Sequence, residues 1–141
     1  MMVTSVVARA DMLDLSAIGQ QAIAKQVPIV LIFTAPYCKF CKILKEEVIE
    51  PMKLEAIARK PIFVYVDSED NKKLIDFNGK PVSFDFLSHV YKIKVTPTVI
   101  FTNSGGYRLL EPIIGIAQVD FYTYNLEHSI KKAFKSMGKS T

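Results

Sequence analysis

The sequence predicts an α/β protein with a central mixed sheet of four or five strands and helices on both faces. Three observations predict it. Ile29-Val30-Leu31-Ile32-Phe33 is apolar without alternation, the pattern of a strand covered on both sides. Helical patterns precede and follow that run. A second run, Ile62-Phe63-Val64-Tyr65-Val66, then returns as a strand and completes a β-α-β unit. The chain has 141 residues, 50% apolar and 23% charged, which places it near the globular average and away from disorder. Such a length forms one domain and buries roughly 65–70% of the surface its unfolded chain exposes.

Taken in order, residues 1–11 read as a flexible or helical N-terminal extension. Leu13, Leu15, Ile18, Ala22 and Ile23 recur at helical spacing and predict a first helix over 12–25. Pro28 precedes the first strand, and Thr34-Ala35-Pro36-Tyr37 breaks it. A long helix is predicted from Cys38 to Ala58, with Ile43, Leu44, Val48, Met52 and Ile57 inward. Pro51 should kink or divide it, because proline lacks the N–H and crowds the preceding turn. Pro61 ends the helical region, and Asp67 closes the second strand. Residues 68–90 read as an insertion. Asn78-Gly79 is a turn signal, so Leu74–Phe77 and Pro81–Phe84 pair as a small hairpin. Phe84 to Tyr91 follows as a short helix. Val99-Ile100-Phe101 is a third strand, Asn103-Ser104-Gly105-Gly106 a turn, and Tyr107 to Ile114 a fourth strand. So short a turn makes the last two strands antiparallel neighbours. The final helix spans Val119 to Ser136, with Tyr122, Leu126, Ile130, Ala133 and Phe134 inward.

Charge excludes some functions. The balance of 18 basic and 14 acidic residues leaves a net charge of +4, and the cations are dispersed. No basic run interleaved with aromatics points to nucleic acid. No apolar run reaches the roughly 18–20 residues of a membrane span. The first ten residues hold only a short apolar patch at Val6, Val7 and Ala8, less than the stretch of about 7–15 that a signal peptide needs. The chain is therefore either cytoplasmic or a mature form whose leader is absent from this sequence.

The chemistry lies in Cys38-Lys39-Phe40-Cys41. These are the only two cysteines, and His89 and His128 stand alone, so the four ligands of a structural zinc site are missing. A bridge across two intervening residues would staple almost nothing, which leaves redox chemistry. A thiol attacks as thiolate, and a helix start lowers its pKa through unpaired N–H groups. Cys38 falls where the strand ends and the helix begins. Cys41 lies one turn along the same face, within reach of the first sulfur. Lys39 and Lys42 add positive charge that favours the thiolate. The implied reaction is exchange: Cys38 forms a mixed disulfide with a substrate, and Cys41 resolves it.

Two stretches in this order resemble the thioredoxin family: Ile29 to Lys42, around the cysteine pair, and Tyr91-Lys92-Ile93-Lys94-Val95-Thr96-Pro97-Thr98. The resemblance covers about residues 25–136 of a single domain over 1–141. It implies the thioredoxin fold, a cis Thr96–Pro97 peptide facing the sulfurs, and protein substrates bound as an added strand beside Thr96. It also places Gly115 after the last strand and lines a substrate groove with Tyr37, Phe40, Val95, Thr96 and Ile116. Lys39, Phe40, Thr96 and Pro97 are its supporting residues.

The sequence departs from ordinary thioredoxin in three ways. Ile32 replaces the buried acid that takes the proton from the second cysteine, which leaves water, Glu46 or Glu47 for that task. Lys39-Phe40 replaces Gly-Pro. The stretch from Asn71 to His89 is longer, and is similar to exported bacterial thioredoxin-like proteins of the SoxW kind.

That similarity favours a reductant of the bacterial periplasm. The chain is further expected to act as a monomer on protein thiols and disulfides, served by an upstream redox partner and needing no metal or cofactor. Other readings remain open from the residues: a disulfide-donating oxidase, a glutaredoxin-like enzyme if Gly105-Gly106 bound glutathione, and a peptide-binding or chaperone module without redox turnover.

Overall fold

Asp14 opens the first helix of the computed structural model, which describes residues 12–56 and 59–139. The expected extension over 1–11 and the inward Ile57 lie outside those residues. The Asp14 carboxylate accepts the N–H groups of Ser16 and Ala17 at 3.0 and 3.2 Å, so α1 (Leu15–Lys25) starts later than its apolar pattern suggested. Leu15, Gly19 and Ala22 define its buried stripe. Ile23 falls off that stripe and is exposed, contrary to expectation.

The first strand, β1 (Ile29–Thr34), is buried at every position. It runs parallel to β2 (Ile62–Asp67), with Ile29 opposite Ile62 and Thr34 opposite Asp67. On its other side it pairs antiparallel with β5 (Thr98–Thr102). Beyond β5 lies β6 (Ile113–Ile114), giving a four-stranded mixed sheet in the order β2-β1-β5-β6. The fourth strand is far shorter than the predicted Tyr107–Ile114. Only a bridge between Thr102 and Arg108 joins its first part to β5. Pro112 has no N–H to give a ladder, and pairing resumes only after it.

Alternation along β1 divides the interior. Val30 and Ile32 face one side, packed with Val99, Phe101, Leu44, Val48, Ile49 and Leu126. Ile29, Leu31 and Phe33 face the other, against Leu15, Val66, Leu74, Leu87 and Tyr91. Burying each large apolar side chain contributes about 1.5–3 kcal/mol.

The long helix is a continuous helical run of three segments: α2 (Lys39–Ile43), a π-helical turn (Leu44–Ile49) and α3 (Glu50–Leu54). Pro51 lies within α3 and does not break the run. The turn before it is widened, with the Glu50 N–H donating to the Lys45 carbonyl. The extra residue in that turn brings Ile49 into the core beside Val48, while Leu44, Val48 and Met52 are buried as expected; Ile43, ahead of the turn, is only partly buried.

Within 68–90, the stretch expected to be an insertion, a separate two-stranded sheet forms from β3 (Lys73–Ile75) and β4 (Pro81–Ser83), followed by α4 (Phe84–Val90). Leu74 and Leu87 pack this stretch against the four-stranded sheet, and Ile75 is also buried. The last helix, α5 (Val119–Lys139), runs past Ser136 and buries Tyr122, Leu126, Ile130 and Ala133 as expected.

Two turn glycines carry a stability prediction. Gly106 has φ +85, and a Cβ there would meet the Phe77 ring at 2.3 Å; Gly79 has φ +84 and open space around it. Gly106→Ala should therefore cost about 2–4 kcal/mol, strain plus overpacking, and Gly79→Ala only about 1–2 kcal/mol. Urea unfolding of the two variants compares them directly.

Candidate active site

Cys38 is the residue before α2, extended at φ −96 and ψ 100. Ahead of it Tyr37 takes φ 60, a left-handed conformation that L side chains rarely adopt. The turn throws the Tyr37 ring entirely into solvent. It also brings the Cys38 sulfur to the start of the helix, where it accepts the Cys41 N–H at 3.2 Å.

Cys38 and Cys41 form a disulfide, their Cα atoms 5.2 Å apart. The two sulfurs are not equivalent. Cys38 is partly exposed, whereas Cys41 is buried at 6% exposure, so an incoming group meets Cys38 first.

The loop between α4 and β5 supplies the opposite wall. The Thr96–Pro97 peptide is cis. The Thr96 hydroxyl donates to Cys38 Sγ at 3.4 Å, and the Thr96 carbonyl lies 3.6 Å from the same sulfur. Pro97 is buried, and its carbonyl accepts the Gly115 N–H at 2.8 Å. Gly115 has φ +71 and turns the chain away after β6.

Phe40, between the two cysteines in sequence, and Val95, next to Thr96, each stand 51% exposed. Ile116 instead packs, half buried, against the core. Of the predicted positions, then, Tyr37, Phe40, Val95, Thr96, Pro97 and Gly115 gather at one end of the sheet, and Ile116 turns inward.

An open cleft of about 590 Å³ lies beside the disulfide, lined among others by Lys39, Lys42, Lys45, Glu46 and Asp67. Glu47 does not line it. Asp67 was not expected here. It ends β2 opposite Thr34, which ends β1, and register alone could have shown that pairing. Burial pushes its carboxyl up, but the Glu69 N–H, the Thr34 hydroxyl, the Asp70 N–H and the Lys45 charge outweigh it and hold the pKa below the ordinary value. The Thr34 hydroxyl donates at 2.9 Å.

A carboxyl lowered on folding stabilises the protein above its unfolded pKa of about 4, and that contribution is lost as pH falls through the folded value. Unfolding free energy should therefore decline on acidification below about pH 4, and Asp67→Asn should flatten that decline. Urea unfolding from pH 6 to pH 2 measures it.

Among the described residues no cluster of three or more His, Cys, Asp or Glu is placed to hold a metal ion. Likewise no described helix is long and apolar enough to cross a membrane.

Comparison with known proteins follows the same lines. Residues 17–129 match a family model described as a thioredoxin-like domain. No curated protein sequence matches. Among solved structures, the reduced thioredoxin pre-protein of Schistosoma mansoni is 21% identical, with a TM-score of 0.56, covering 86% of this chain and 92% of that one. The oxidised C-terminal domain of DsbD from Neisseria meningitidis is 23% identical, with a TM-score of 0.55, covering 83% and 97%. Thioredoxin from Malassezia sympodialis is 17% identical, with a TM-score of 0.56, covering 87% and 90%. These likenesses show the fold, a mixed four-stranded sheet flanked by helices.

Proposed function

Because the chain belongs to the thioredoxin-like domain family, we propose that it reduces disulfides of protein substrates through Cys38 and Cys41, in the bacterial periplasm and as a monomer. The observation that carries the reading is the inequality of the two sulfurs, one reachable and one buried behind it.

In the reduced protein, the Cys41 N–H, the Thr96 hydroxyl and the nearby Lys39 favour the Cys38 thiolate. That thiolate attacks a substrate disulfide, and one substrate sulfur leaves with the bond's electron pair. Cys41 then gives up its proton and attacks Cys38 Sγ, which releases the second substrate sulfur. Two electrons pass to the substrate, and the protein returns to the disulfide. The Cys41 proton passes into the cleft, whose wall Glu46 shares with Cys41. An upstream dithiol reductant restores the pair.

The reducing direction rests on the resemblance of the insertion to SoxW-type proteins, and the periplasmic location rests on the same resemblance. The lysines beside the disulfide act in the opposite sense, since stabilising the thiolate makes the pair more oxidising. Equilibration with glutathione buffers decides between them. A reductant should give a potential at or below about −230 mV, whereas a value near −120 mV would overturn the direction.

A further inference from the structure

A second cleft, of about 270 Å³, opens on the other side of the cis-proline loop. Its walls include Lys92, Lys94 and Arg108, with Val95 and Ile114 as apolar surface, and no Asp or Glu among the described residues that line it. We infer that this cleft selects the substrate: it receives acidic side chains of a protein segment whose cysteine is bound at Cys38. The inference deepens the proposed function and rests on it.

Three observations carry it. The cations are held out to solvent by the fold. Lys92 takes φ 57 in the turn that ends α4, and the Lys92 and Ile93 N–H groups donate to the His89 and Ser88 carbonyls at 3.1 and 2.8 Å. Ile93 packs against the core between them, so Lys92 and Lys94 are both exposed.

The cleft is also continuous with the reactive site. Val95, half exposed, separates Lys94 from Thr96, whose hydroxyl touches Cys38 Sγ. A segment disulfide-linked to Cys38 and lying along Thr96 passes over Lys94 within a residue or two, since an extended chain advances about 3.3 Å per residue.

Finally, the charge is unmatched within the cleft. The Arg108 guanidinium donates to the Tyr91 carbonyl, a neutral acceptor. Its charge therefore remains available to a partner, and complementary charge speeds encounter and sets specificity.

The test uses the reduced full chain and three peptide homodimers, each joined through one central cysteine. Asp and Glu, Ser and Gln, or Lys flank the cysteine. Cys38 thiolate attacks one peptide sulfur and frees one peptide thiolate, and Cys41 frees the second. Dithiothreitol restores the protein.

The acidic dimer should show a kcat/KM about tenfold above the neutral one at low salt, with the basic dimer lowest, and the preference should fade toward 0.5 M salt. In Lys92→Gln/Lys94→Gln the acidic-to-neutral ratio should fall toward one. Arg108 is left intact because it also holds the Tyr91 carbonyl.

A ratio near one in the parent protein overturns the inference while leaving the redox reading standing. A preference that survives the double variant overturns the assignment to this cleft. Glutathione disulfide consumed faster than the acidic dimer overturns the protein-segment form. Reduction of none of the dimers removes the redox reading and the inference together.

Discussion

Cys38→Ser is expected to abolish disulfide reduction, on the order of 10³-fold or more, because it removes the attacking sulfur. Cys41→Ser is expected to fail differently. Its Cys38 still attacks, but nothing resolves the product, so the variant should accumulate as a mixed disulfide with its substrate. Mass spectrometry of the quenched reaction distinguishes the two variants, and insulin turbidity measures the turnover each has lost. The difference follows from burial: Cys41, at 6% exposure, is shielded from substrate and reaches only Cys38. Neither change should unfold the chain. The bridge spans a separation of three residues, and a loop so short contributes little to stability. Turnover retained in Cys38→Ser would overturn the redox reading and favour a binding module. Mixed disulfide forming at Cys41 in Cys38→Ser would reverse the assigned roles.

The parts of this arrangement that sequence reading recovers are those encoded by periodicity. The continuous apolar run of β1 announces its central place, because burial on both faces leaves no polar position. The long amphipathic pattern of α5 likewise names Tyr122, Leu126, Ile130 and Ala133 correctly. Cys38 and Cys41 stand out because a strand-to-helix junction places two sulfurs one turn apart. The misses are of another kind. Ile49 joins the inward residues because the π-helical turn before Pro51 widens the buried stripe, an effect no 3.6-residue period contains. The fourth strand shrinks to Ile113–Ile114 because Pro112 interrupts the ladder. Asp67 reaches the cleft through strand register, and Lys92, Lys94 and Arg108 come together from a turn and a distant loop. Contacts between distant segments depend on how elements dock, and local patterns do not record docking.

The apolar residue at position 32 yields the second large effect. Ile32 is fully buried, packed among Val30, Leu44 and Val48, and paired with Tyr65 and Val99. Ile32→Asp would place a carboxyl where the family carries its proton-transferring acid, but in a pocket built for hydrocarbon. Burial disfavours the charged form and raises a fully buried carboxyl by up to about 3–5 units. At about 1.4 kcal/mol per unit, a shift of about 3 units costs roughly 4 kcal/mol at neutral pH, beyond the lost apolar contacts. The sign fixes the pH dependence. With the folded pKa above the unfolded value of about 4, the variant suffers no ionisation penalty below that value. The penalty accumulates as pH rises toward the folded pKa and then levels off. Unfolding free energies at pH 4 and pH 8 should therefore diverge for Ile32→Asp and stay parallel to the parent for Ile32→Asn, which adds polarity without a titrating group. In the fraction that folds, the new carboxylate should speed decay of the mixed disulfide by taking the Cys41 proton. Parallel stability curves for Asp and Asn would mean that water reaches position 32, and a protonation route through bulk solvent would then replace the one through the cleft.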